Sequence, residues 1–227
     1  MKNFGRIVLL LIVLILIGIW SPWHNWDFTF LSMIGIENDN SYSTLKVKSL
    51  SGSIDIYIDD KLEGSVVADE SFAEINTIKE GMHLVKLKRQ SENGNIYFEL
   101  NKEINFISGV EVVMAYDLGP SEAFSEGHIL FTSKNYKKNQ NPVVNIISSP
   151  EDVNVFIDDE QIGTSPINEL ELDLSRQHKI RFEKTGYDSL EFMILPEDQE
   201  SRDKLKDLTI NLEVNLFLQP VKIIKNT

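Results

Sequence analysis

The chain has 227 residues, no cysteine and a formal net charge of −13. Without cysteine, a disulfide framework, a thiolate metal site, a Cys nucleophile and a lipidated cysteine anchor are excluded together. Lys2 and Arg6 precede every acidic residue, so the chain beyond them carries −15, a field that repels polyanions and excludes nucleic acid as a partner.

Residues 7–20 (IVLLLIVLILIGIW) form an uncharged apolar run that begins at Ile7, centres near Leu14 and ends at Trp20. Its 14 residues match a signal-peptide core in length, yet no small-x-small cleavage site follows, and Pro22 would sit just past a cut at Ser21. With Phe4, Gly5 and a snorkelling Arg6 the run reaches the lower limit for a membrane helix, and Trp20, Trp23 and Trp26 supply an interfacial aromatic belt. The expectation is a retained anchor over 1–26, with the basic N-terminus cytoplasmic and the rest outside the cell. An interfacial segment and polar linker fill 27–44.

From Leu45 the pattern becomes alternation. Ile54, Ile56 and Ile58 face one way and Asp55, Tyr57 and Asp59 the other, the period of a half-buried strand. Asp59 and Asp60 supply a turn, and Gly64 marks a bulge or a close backbone approach in the return strand. Further strands are predicted at HLVKLK (83–88), after an Asn-Gly hairpin in SENGN (91–95) with Ile96, Phe98 and Leu100 inward, and at 110–115. An edge strand is expected at 129–132, and 135–142 (NYKKNQNP) reads as a linker.

The nine residues IYIDDKLEG at 56–64 return as VFIDDEQIG at 155–163, 99 positions on. A second unit therefore begins at Val143, with Asp158 and Asp159 at the turn, then Gly163, Thr164 and Pro166, the proline in a loop or at an edge. His178 falls where His83 does, Gly186 and Tyr187 turn the chain, and Leu190, Phe192 and Ile194 start another strand. Residues 196–207 (PEDQESRDKLKD) read as a solvated charged insertion, and alternation over 208–218 closes the unit. The fold class expected is all-β: two tandem small antiparallel β-sandwiches, 45–134 and 143–221, behind one N-terminal transmembrane helix.

These residues resemble the PEGA domain, a small β-sandwich module of bacterial and archaeal surface proteins. The second copy carries the resemblance in Ser149-Pro150-Glu151-Asp152-Val153, Phe156-Ile157-Asp158-Asp159, Gly163-Thr164-Ser165-Pro166, His178-Lys179-Ile180 and Gly186-Tyr187. The first copy departs from it, with Ser51 in place of the proline, Gly64-Ser65-Val66-Val67 in place of Gly-Thr-Ser-Pro, and no Gly-Tyr turn. The resemblance implies display outside the cell and no catalytic residues.

The chemistry read from the residues is sparse. The Asp pairs 59–60 and 158–159 fit turn geometry, with a weak Ca²⁺ site as the competing reading, because neighbouring strand residues point to opposite sides and a hard cation needs six to eight converging oxygens. The matched placement of His83 and His178 argues for a packing or hydrogen-bonding role, while His24 and His128 have no counterparts. Lys184-Thr185-Gly186 and Ser43-Thr44-Leu45-Lys46 spell fragments of penicillin-recognising enzymes in a chain that lacks their α/β body. Tyr57 and Phe156 share an outward register that would suit sugar stacking or packing beneath a loop. A non-catalytic envelope protein without a cofactor is expected, with the lipid bilayer and an envelope protein as partners; a glycan- or cell-wall-binding module is the alternative.

Overall fold

The computed structural model describes residues 42–68, 71–91, 94–134 and 142–220. The anchor residues Ile7, Leu14 and Trp20 lie outside them. Among the described residues no helix is long and apolar enough to cross a membrane.

The alternating stretches fold as strands. The first copy contains β1 (Tyr42–Ser49), β2 (Ser53–Ile58), β3 (Lys61–Val67), β4 (Ala73–Lys79), β5 (Gly81–Arg89), β6 (Glu99–Phe106) and β7 (Glu111–Asp117). After a short 3₁₀ turn at Glu122–Phe124 comes β8 (Glu126–Lys134). The second copy repeats the series as β9 (Val143–Ser149), β10 (Asn154–Ile157), β11 (Glu160–Thr164), β12 (Ile167–Glu171), β13 (His178–Glu183), β14 (Leu190–Ile194) and β15 (Leu208–Asn215), with a helix α1 (Gln199–Asp203) before the last strand.

The described residues form three sheets. Two four-stranded caps, β3-β2-β5-β6 and β11-β10-β13-β14, pack on one seven-stranded sheet in the order β12-β9-β15-β8-β7-β1-β4. The wide sheet is mixed, because β1 runs parallel to β7 and β9 parallel to β15. Sequence alternation predicted antiparallel pairing, but it reports only which residues face inward and is silent on the direction of the neighbouring strand.

The two copies share this sheet through β8. Both β7 and β15 run antiparallel to β8, so they are parallel to one another, while the strand order to either side is mirrored. A mirrored order with strand direction kept is a half-turn about the axis of β8, and that operation turns the sheet over. The caps consequently lie on opposite faces. Side chains confirm it: Ile129 and Phe131 pack into the first core with Leu45, Met114 and Leu87, while Leu130 packs into the second with Ile146, Phe182 and Leu212.

Three expectations change here. The strand expected at the edge over 129–132 is the central strand of the wide sheet, and its run of His128-Ile129-Leu130-Phe131 is apolar on both faces because each face meets a different core. Gly127 lets β8 come this close: a Cβ there would lie 2.2 Å from the Ala115 carbonyl oxygen. The charged insertion 196–207 is partly interior. Asp198 caps α1 by accepting from the Ser201 amide, and Arg202 is buried, with Nε donating to the Leu174 carbonyl and Nη1 to those of Pro196 and Glu197. The guanidinium plane gathers carbonyl groups that would otherwise lack donors, which composition alone does not reveal. Finally, β5 and β6 are joined by the long segment between Arg89 and Glu99 instead of a tight Asn-Gly hairpin, and Ile96 is 86% exposed instead of inward.

Candidate functional site

The repeated Asp pairs make the same structure twice. Asp59 (φ 50°) and Asp60 (φ 64°) are the two residues between the paired Ile58 and Lys61, and Asp158 (φ 50°) and Asp159 (φ 68°) stand between Ile157 and Glu160. Positive φ at both positions is the two-residue hairpin turn whose twist matches the flanking strands, and Asp tolerates it better than bulkier residues. Each first Asp then reaches across to β5 or β13. Asp59 Oδ1 accepts from the Leu84 amide at 3.0 Å and Oδ2 from His83 Nδ1 at 2.7 Å. Asp158 Oδ1 accepts from the Lys179 amide at 3.0 Å, and Oδ2 from His178 Nδ1 at 2.8 Å and Arg176 Nη2 at 2.6 Å. The His178 hydrogen bond, with the Lys179 amide and Arg176 adding to it against a cost of burial, holds the Asp158 carboxyl down at about 2; His83 lowers Asp59 in the same way.

The second ring nitrogen in each clasp is also engaged. His83 Nε2 lies 3.0 Å from the Lys79 carbonyl oxygen and His178 Nε2 2.9 Å from that of Asp173. A general base needs that nitrogen for a nucleophile or a water. Here it ties the chain entering β5 or β13 to the hairpin turn. The second Asp of each pair makes surface ion pairs, Asp60 with Lys86 at 2.6 Å and Asp159 with Lys179 at 3.1 Å.

The remaining residues singled out from the sequence are dispersed around this frame. Gly64 and Gly163 lie at the same bulge, where the register shifts between Ile56 and Tyr57 and between Val155 and Phe156. Thr164 ends β11, and Pro166 stands between β11 and β12. Gly186 (φ 87°) and Tyr187 turn the chain back, and Tyr187 makes an isolated bridge to Leu218.

A different place has the shape of a binding site. A cleft of about 340 Å³ opens where the edge strand β14 overhangs the wide sheet. Val113 of β7 and His128 and Leu130 of β8 form its floor, Phe192 and Met193 of β14 its wall, and Lys46 lies at one side, paired with Glu111 at 2.8 Å. The His128 ring stacks flat on Phe192, with centroids 3.7 Å apart and planes 8° from parallel. Its Nδ1 is shut off from solvent without a hydrogen-bond partner, and burial pushes the imidazole down to about 4, so the ring is neutral at pH 7. At the half-turn-related position on the other face, Lys102 of β6 donates to both carboxylate oxygens of Glu213 on β15 at 2.6 Å, joining cap to sheet there. The open cleft thus belongs to one copy and is not imposed by the architecture.

Sequence reading missed the cleft because its residues come from both copies. The available signal was the unbroken apolar run 128–131, since a strand without alternation has both faces covered. Comparison with known proteins finds no family model that matches this chain and no curated protein similar to it.

Proposed function

We propose that this is a non-catalytic, membrane-anchored envelope protein that presents two PEGA-like β-units outside the cell and engages another envelope protein through the cleft beside β14. The apolar run 7–20, with its aromatic belt, is the anchor in this reading, with the N-terminus cytoplasmic and the lipid bilayer as the first partner. The observation that carries the non-catalytic part is the duplicated clasp. The repeated Asp–His pairs, Asp59 with His83 and Asp158 with His178, are spent, in the same way in both copies, on holding a hairpin turn to its neighbouring strand.

The protein-contact part rests on the cleft. An edge strand beside an apolar floor suits an added extended segment whose side chains enter the cleft. Met193, 52% exposed on that edge, supplies a flexible apolar contact. The test is site-specific photo-crosslinking of the full chain in native membranes, with a benzophenone residue at Met193 or at Ile147, which lies on the opposite face of the wide sheet. A discrete adduct from Met193 alone is expected. Adducts from both positions alike, or from neither, would refute the reading.

A further inference from the structure

The duplication provides an internal control for the outer faces of the two caps. Tyr57 and Phe156 are equivalent: each follows the same bulge, and each faces a basic residue across the ladder, Lys86 for Tyr57 and Arg181 for Phe156. In the second copy Arg181 lays its guanidinium over the Phe156 ring, 4.1 Å from the centroid, and is drawn to Glu183 and Glu191 on either side. In the first copy Lys86 turns away to Asp60. A planar guanidinium stacks on an aromatic face, whereas an ammonium seeks a carboxylate, so one ring is capped and the other is not.

Beside Tyr57 this leaves a groove of about 430 Å³, lined by Asp55, Tyr57, Lys88, Tyr97 and Glu99. It is braced from below. Arg89 donates to the Asp117 carboxylate at 2.9 Å and to the Leu118 carbonyl at 3.1 Å while its guanidinium supports the Tyr97 ring at 4.6 Å. Gln90 Nε2 donates to Asp55 Oδ1 at 2.6 Å, and Lys88 pairs with Glu99 at 3.0 Å.

We propose that this groove on the first copy is a binding site for an uncharged oligosaccharide. Two tyrosine rings supply faces for the C–H side of pyranose rings, and planar carboxylate and amide groups at their edges match pairs of sugar hydroxyls. With Arg89 paired to Asp117, the groove keeps Asp55 and Glu99 against Lys88, on a protein of net charge −13. Neutral or N-acetylated sugars therefore fit, and anionic glycans are repelled. The groove shares no lining residue with the cleft beside β14.

The test is titration calorimetry of the full chain, in a detergent that carries no sugar, with chitotetraose, maltotetraose and a hyaluronan tetrasaccharide. One of the neutral probes should bind with a Kd of about 1 mM or tighter, and hyaluronan should not bind. Tyr57→Ala should weaken that binding at least about tenfold, Tyr57→Phe should preserve it, and Phe156→Ala should leave it unchanged. If Tyr57→Ala does not fold, Asp55→Asn, which keeps the shape but removes the carboxylate acceptor, should weaken binding in its place. The proposal is overturned if neither neutral probe binds, if Phe156→Ala weakens binding as Tyr57→Ala does, or if neither groove substitution changes the affinity.

Discussion

His128 makes the join between the two copies sensitive to acid by an amount that can be worked out. Burial lowers its pKa from 6.5 to about 4, so the folded protein holds the ring neutral while the unfolded chain takes up a proton more readily. The associated stability is fully present above pH 6.5 and is lost as the pH falls from 6.5 toward 4. Lowering the pKa from 6.5 to about 4 corresponds to about 3 kcal/mol at 1.36 kcal/mol per pH unit, and solvent reaching the side of the ring that faces the cleft reduces it to about 2 kcal/mol. Most of it disappears by pH 4.5, before Asp158 begins to release its own contribution below pH 3.8. His128→Phe keeps an aromatic stack on Phe192 and removes the orphaned Nδ1, whose burial costs about 1 kcal/mol. Urea unfolding of both proteins, followed by circular dichroism at pH 7.0 and 4.5, reads the effect directly. The variant should be the more stable at pH 7.0 and should lose about 2 kcal/mol less than the wild type between the two values. The difference between the two proteins cancels groups that titrate alike in both, including Glu126, which burial raises and which therefore acts in the opposite sense. Equal losses in the two proteins would refute the assignment of this pH window to His128.

Other perturbations test the frame. Asp158→Asn removes the clasp's charged acceptor and should cost about 1–2 kcal/mol in urea at pH 7, a difference from wild type that fades as the pH falls from 3.8 toward 2. Arg202→Met leaves the carbonyl groups of Leu174, Pro196 and Glu197 short of donors and should cost about 2–4 kcal/mol; a loss under half of that would mean that water replaces the guanidinium. Gly127→Ala drives a Cβ against the Ala115 carbonyl and should lower stability by more than about 3 kcal/mol, read as a fall in Tm. Leu212→Ala opens the second core and should cost about 2–5 kcal/mol, yet hydrogen exchange should show strands of both copies losing protection together; separate transitions for β5 and β13 would contradict the shared sheet.

Local pattern determined a great deal here. Period-2 alternation at Ile54, Ile56 and Ile58, and again at Val153 and Val155, identifies strands and their buried faces because a strand's side chains alternate whatever it pairs with. The duplicated IDD turn located two hairpins, and the matched histidines pointed to a shared packing or hydrogen-bonding role, between which only the distances to Asp59 and Asp158 decide. Only the tertiary structure decided which strands become neighbours. Parallel pairing of β1 with β7, the central place of β8 and the burial of Arg202 depend on contacts between residues far apart in the chain, and a residue's own neighbourhood in sequence carries no record of them. The cleft and the groove follow the same division. Tyr57 and Phe156 look alike in the sequence, and what separates them is whether the residue across the ladder is a lysine that reaches to Asp60 or an arginine that lies flat on the ring while carboxylates flank it.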